Sequence, residues 1–359
     1  MSDPKPEDKP ARRPRYRGAN PRRFSEKYKE LQPGRYADDV AKVVAAGKTP
    51  AGSHRPIMIR EILQVLAPEA GQVAVDCTLG YGGHSAAILK AVQTGGKLIA
   101  LDVDPIEGPK AEARLRGLGF PEGSLVVLRR NFAGLAGLVA AEAAGGVDMI
   151  LADLGLSSMQ IDDPARGFTF KDDGPLDMRM DPTRGASASA LIAGIGEAAL
   201  ARLLEENADE PLASAVAEAI VWARSRTPLM TTRALAEVVR AVYARSPQDE
   251  ANDAVRRVFQ AVRVAVNREF ASLDALLRDL PACLKPGGRV AVLAFHSGED
   301  RRVKSAFKEG LQAGVYASIA DEVIRPSGEE RRANPRSASA KLRFATRAET
   351  HQGVPALDA

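Results

Sequence analysis

From Val73 to Ser85 the chain reads Val-Ala-Val-Asp-Cys-Thr-Leu-Gly-Tyr-Gly-Gly-His-Ser. This is an apolar run, then a turn with three glycines, then the start of a helix. A short unbroken apolar run suits a strand covered on both faces, so the segment predicts one strand–turn–helix unit of an α/β sheet. The next apolar run, Lys97 to Leu101, ends in two acids, Asp102 and Asp104. Glycines let backbone approach a ligand closely, and a carboxylate about 20 residues further on can accept both ribose hydroxyls. A dinucleotide fingerprint also needs glycine at the sixth position of the turn, where this chain has Ser85. The looser turn suits a nucleoside without a pyrophosphate, and S-adenosylmethionine fits that description.

Alternation continues around this unit. Strands are expected over 73–79, 97–102, 124–129 and 147–152, with helices over 83–92, 105–117 and 132–144 between or after them. A helix led by His54 and Pro56 precedes the first strand. From about 158 to 258 no strand is expected. A loop rich in Asp, Gly and Pro there gives way to helices over 198–204, 212–224 and 232–244. Trp222 falls in this block and reads as a core or interface anchor. A helix over 260–280, a turn at Pro286-Gly287-Gly288, and strands over 289–295 and 340–346 restore the pattern. The fold class is α/β, a doubly wound Rossmann-like parallel sheet with an inserted all-helical domain. The expected divisions are a tail over 1–45, the first part of the α/β domain over 46–157, the helical insert over 158–258, the second part over 259–350, and a C-terminal tail over 351–359. Ligands of open α/β sheets lie beyond the carboxyl ends of the strands, the edge from which the insert leaves.

The formal charge of +4 is unevenly placed. Residues 1–35 carry 11 Lys/Arg and 5 Asp/Glu, while the rest has 39 against 41. The basic excess belongs to a Pro- and Arg-rich tail that reads as disordered and suits phosphate backbones. No apolar run has the length of a membrane span, no secretory signal is read at the start, and Cys77 and Cys283 lie in apolar context. A soluble cytoplasmic protein with reduced thiols is expected, in no contact with membrane.

Strand ends supply the candidate chemistry. Asp153 closes the fourth strand, where enzymes of this scaffold present the acceptor atom. An exocyclic amine is a poor nucleophile because its lone pair is delocalised into the ring. An acceptor on its N–H, and later a proton sink, would help it. His296 and Glu299 leave the following core strand at the same edge and are second candidates, and His84 sits in the glycine turn. No Cys/His cluster has metal spacing, and neither a Gly-x-Ser-x-Gly elbow nor a phosphate-loop lysine is present.

Several runs together resemble the bacterial RsmH (MraW) family. They are His54-x-Pro56, Asp76-x-Thr78-x-Gly80-x-Gly82-Gly83-His84-Ser85, Asp102-x-Asp104-Pro105 and Asp153-Leu154-Gly155-x-Ser157-Ser158-x-Gln160. Arg166-Gly167-Phe168, Asp173-Gly174-Pro175-Leu176-Asp177-Met178-Arg179-Met180-Asp181, Phe259-Gln260-Ala261-x-Arg263 with Asn267, Phe295-His296-Ser297-x-Glu299-Asp300, and Asn334-Pro335-Arg336 extend the likeness. It spans about 53–348 and leaves out the basic tail. The resemblance implies S-adenosylmethionine-dependent N4-methylation of a cytosine in the decoding centre of 16S ribosomal RNA, acting on small-subunit RNA or the 30S subunit. By the same resemblance Gly82, Gly83, His84, Asp102, Phe132, Asp153 and Gln160 contact the cofactor. The oligomeric state stays open, a homodimer included. An N4-cytosine DNA methyltransferase and a non-catalytic assembly factor are the rival readings. Gly298 departs from the family, standing where a larger apolar residue is usual.

Overall fold

The computed structural model describes residues 56–93 and 95–349. The expectations for the basic tail, for His54 and for residues 351–359 lie outside the described residues. Helix α1 (Ile59–Leu66) leads into β1 (Val73–Asp76), α2 (Gly83–Val92), β2 (Lys97–Asp102), α3 (Glu107–Arg116), β3 (Leu125–Arg129), α4 (Leu135–Glu142) and β4 (Val147–Asp153). A short α5 (Ser158–Asp162) opens the long excursion, which then forms α6 (Ala188–Gly194), α7 (Glu197–Ala208), α8 (Ala213–Arg226), α9 (Thr232–Val242) and α10 (Gln248–Asn267). The chain returns through α11 (Glu269–Cys283), β5 (Leu284–Ala294), α12 (Ser297–Gln312), β6 (Tyr316–Ile319), α13 (Gly328–Ala333) and β7 (Lys341–Arg347).

Among the described residues the strands form one sheet in the order β3-β2-β1-β4-β5-β7-β6. The β1–β5 pairings are all parallel. The central strands show why both faces must be covered. Ile99, Leu101, Ile150, Val290 and Val292 point into one core with α4, α11 and α12. Leu98, Ala100, Met149, Leu151, Ala291 and Leu293 point into the opposite core with α1, α2 and α3. Every second residue changes face, as the pleat requires, and neither face is left for water.

Several expectations are corrected here. The sheet is mixed: β7 runs antiparallel to both β5 and β6. Strand β6 was not expected at all, because it is four residues long with two of them exposed, too little for an apolar pattern. The first strand ends at Asp76 rather than at residue 79, because the Asp76 carboxylate accepts the Thr78 N–H (3.0 Å) and turns the chain. The helix expected over 260–280 is two helices. The backbone at Arg268 is left-handed (φ 52°), and the Asn267 side chain donates to Arg263 O (2.9 Å), so α10 ends and α11 begins there. The turn expected at Pro286-Gly287-Gly288 lies inside β5, which already begins at Leu284.

The excursion closes a core of its own around Leu200, Leu204, Val216, Ile220, Leu235, Val239 and Val255. That core continues through Val258 to Val262, and α10 crosses the expected junction at 258 without a break. Trp222 is no core anchor. It is 59% exposed, with the Arg226 guanidinium 3.5 Å from its ring centroid. Among the described residues no helix is long and apolar enough to cross a membrane.

Candidate active site

The carboxyl ends of β1, β2 and β4 meet at the glycine turn. Asp76, fully buried, organises it. One carboxylate oxygen takes the Thr78 N–H, and the other takes the Ser85 hydroxyl at 2.6 Å. Thr78 Oγ1 in turn accepts the Asp153 N–H at 2.7 Å, so it ties the end of β1 to that of β4. Ser85, where a dinucleotide fold would have glycine, is thus the residue that fastens α2 to β1. Gly80 and Gly82 have φ of 50° and 84°, where a side chain would be strained. At Gly83 a Cβ would stand 2.5 Å from Pro56 Cγ, which sets how closely α2 approaches the segment before α1.

Asp102 and Asp104 part company here. Asp102 is half-buried and accepts Gly80 N–H through Oδ2 and Asp104 N–H through Oδ1, both at 2.8 Å. Each oxygen keeps a lone pair for a further donor. Burial pushes its carboxyl up to about 6, against the backbone N–H groups that lower it. Asp104 is wholly buried and engaged by Gln160 Nε2 and Arg166 Nη1, each at 2.7 Å. Only Asp102 is open to a ribose. Gln160 accepts Ser157 N–H through Oε1 as it donates to Asp104, so its amide meets the β2 turn through Asp104. Phe132 is half-buried in the 3-10 turn after β3, three residues beyond Arg129, the register partner of Asp102.

His84 and Asp153 face each other across the site. His84 Nε2 lies 3.0 Å from the Ile57 carbonyl, which can only accept, so that nitrogen carries a proton. His84 Nδ1 lies 3.4 Å from Asp153 Oδ2. Burial pushes the Asp153 carboxyl up to about 6, against the lowering effect of His84. Asp153 Oδ1 is buried and, among the described residues, has no hydrogen-bond partner. His296 and Glu299 reach the same edge, but Glu299 is committed elsewhere. Its Oε2 accepts Phe295 N–H (2.8 Å) and its Oε1 lies 3.2 Å from His296 Nε2. Burial alone would raise its carboxyl, but His296, Arg263 and the Phe295 N–H hold it below the usual range. Gly298 has no space for a larger residue, since a Cβ would stand 2.6 Å from Phe270 Cζ. Among the described residues no group of three or more His, Cys, Asp or Glu could hold a metal ion.

A sheet of this order, with a glycine turn after its first strand and an acid at the end of its second, defines a Rossmann-like methyltransferase. The chain belongs to the MraW methylase family, which it matches over residues 51–348. It is 47% identical to ribosomal RNA small subunit methyltransferase H 1 of Lachnoclostridium phytofermentans, over 94% of this chain and 93% of that protein. It is 48% identical to ribosomal RNA small subunit methyltransferase H 2 of Alkaliphilus metalliredigens, over 95% and 99%. Matches of that share are longer than everything from residue 51 to the C-terminus, so they enter the basic tail that the motif resemblance left out. A solved S-adenosylmethionine-dependent O-methyltransferase of Thermotoga maritima is 12% identical, covering 82% of this chain and 66% of its own, with a TM-score of 0.38.

The cofactor is S-adenosylmethionine, and the site fits it. An open glycine turn, a half-buried carboxylate with free lone pairs and an orphaned buried carboxylate oxygen together suit a cationic nucleoside.

Proposed function

We propose that the protein transfers the methyl group of S-adenosylmethionine to N4 of a cytosine in the decoding centre of small-subunit ribosomal RNA. The observation that carries the reading is the unpartnered Asp153 Oδ1 at the end of β4. A buried acceptor without a donor costs about 1–3 kcal/mol, and a substrate amine N–H would remove that cost. The cofactor, when bound, supplies an activated methyl group, so the protein need only orient the acceptor and exclude water. Asp153 Oδ1 accepts one amine N–H, drawing the nitrogen lone pair out of conjugation, and the carboxylate then takes the proton released on transfer. Its partner His84 holds the other oxygen. Asp102 receives the ribose hydroxyls, Gly82 and Gly83 give the backbone room, and Phe132 flanks the adenine side. The cytosine would be splayed out of its strand and read on its pairing edge, with the helical insert against RNA. His296 and Glu299 stand at the same edge as second candidates, near enough for Glu299 to act electrostatically on Asp153.

The relatives' names support a ribosomal RNA substrate. The fourth strand ends Asp153-Leu154-Gly155 instead of the Ser/Asp-Pro-Pro-Tyr usual in N4-cytosine DNA methyltransferases, which disfavours DNA. The test is tritiated-methyl transfer to purified small subunits, naked rRNA and DNA, followed by nucleoside analysis. Label in N4-methylcytidine of the small-subunit RNA is expected, and Asp153→Ala should abolish it while the protein stays folded. Label in DNA alone, or near-normal turnover by D153A, would refute the reading.

A further inference from the structure

The run Asp173 to Asp181 has no part in the site described above, yet it is held at two points. From the helical side, Asn267 donates to Met178 O and accepts Met180 N–H, both at 2.7 Å. From the sheet side, Arg166 Nη2 donates to Arg179 O (3.2 Å) and Met180 O (2.8 Å). The same guanidinium donates through Nη1 to Asp104 Oδ2 at 2.7 Å. The other Asp104 oxygen accepts Ile106 N–H and Glu107 N–H, so the side chain cannot rotate freely. The Asp104 backbone N–H then donates to Asp102 Oδ1. One continuous line runs from the loop at 178–180 to the carboxylate that meets the ribose.

We propose that Arg166 is a positioning residue for the cofactor, acting through Asp104 to aim the Asp102 carboxylate at the ribose hydroxyls. This deepens the cofactor reading and rests on it. A buried Arg–Asp pair adds little stability over apolar residues of the same volume, so fold stability alone is a weak reason for its presence. The shape of arginine is what the position uses: one planar fork reaches a carboxylate on one side and two carbonyls on the other, which one ammonium cannot do. The loop is also rigid where Arg166 grips it. A Cβ at Gly167 (φ 74°) would collide with Pro175 O, and one at Gly174 with Pro164 O, so backbone packs directly on backbone. This accounts together for the Arg166-Gly167 and Asp173-Gly174 motifs.

The experiment is calorimetric titration of the full chain with S-adenosylhomocysteine and with its 2′,3′-dideoxy analogue, with no RNA present. Wild type should prefer the ligand with ribose hydroxyls, and Asp102→Ala should lose that preference. Arg166→Lys should weaken S-adenosylhomocysteine binding by roughly tenfold, the scale of one hydrogen bond to a charged group. It should weaken the dideoxy analogue far less, so that the preference falls toward that of D102A. A folded R166K with the wild-type preference would overturn the proposal and leave Arg166 a purely structural role. Should R166K not fold, the charge-free pair D104N/R166Q strands neither charge and must show the same fall; an unchanged preference overturns the proposal there too. A wild type that binds neither ligand would instead defeat the cofactor reading, and this inference with it.

Discussion

Two carboxyls at strand ends, Asp102 and Asp153, are both pushed up to about 6, in each case chiefly by burial. A raised folded-state value means that the folded protein holds the proton more tightly than the unfolded chain. Their contribution to stability is therefore fully present below the unfolded value of about 4 and lost as pH rises through 6. Near neutrality both are ionised, and the site is an anionic pocket suited to a sulfonium cation. Thermal stabilisation by S-adenosylmethionine should exceed that by uncharged-sulfur S-adenosylhomocysteine at pH 7.5, with the margin shrinking as pH falls below 6. A margin independent of pH would show that these carboxylates do not sense the cation. Methyl transfer should lose rate on the acid side as the Asp153 carboxyl takes up its proton near 6. Thr78 makes a different kind of contribution, since its hydroxyl is the acceptor for Asp153 N–H. Thr78→Val keeps the shape and leaves that buried N–H unpaired, so urea unfolding should show a loss of about 1–3 kcal/mol. A smaller change would mean that water replaces the hydroxyl.

Elements show where sequence patterns inform and where they fail. The glycine turn, Asp102 and Asp153 were legible because each closes an apolar run that is buried on both faces, so the strand end is marked locally. The ties among them were not. Thr78 and Asp153 are 75 residues apart in the chain, Asp104 and Gln160 are 56 apart, and Asp104 and Arg166 are 62 apart. No local period encodes such pairs, and Asp102 and Asp104 looked equivalent until burial separated them. The α10–α11 break was missed for a related reason: Arg268 is not a residue that announces a left-handed backbone. That conformation is strained for arginine, and the side chain is exposed. Arg268→Gly should therefore stabilise by about 0.5–1 kcal/mol in urea unfolding; a loss would mean that the arginine makes a compensating contact. Gly298→Ala should act in the opposite direction. Phe270 is confined between His296, at 5.7 Å between ring centroids, and the Arg302 guanidinium at 3.8 Å. It cannot yield cheaply to a new methyl group 2.6 Å away, and overpacking of this kind costs about 1–3 kcal/mol.

At the scale of the whole molecule, the helical insert meets the sheet through contacts of unequal value. The pair Asp209–Arg301 joins the residue that caps α7 to α12, but both side chains are more than half exposed. Such pairs contribute about 0–1 kcal/mol and do not fix an orientation. The buried Asp104–Arg166 pair and the Asn267 clamp do, so the insert is registered on the cofactor side of the sheet edge. Charge completes the argument for an RNA substrate. From residue 36 onward the chain has 39 basic and 41 acidic residues, so the body offers a polyanion no net attraction, whereas residues 1–35 carry 11 Lys/Arg against 5 Asp/Glu. The tail is the place where phosphate contacts can concentrate, and the match to the two RNA methyltransferase relatives extends into it. Each phosphate neutralised releases a counterion, so a contribution from the tail must weaken as salt rises. Deleting residues 1–45 should leave the cofactor Kd unchanged and raise the KM for small subunits most at low ionic strength. The slope of log affinity against log salt should become shallower in the truncated protein. Equal KM values for the two proteins at every salt concentration would show that the tail takes no part in holding RNA, and that recognition rests on the insert and the sheet edge.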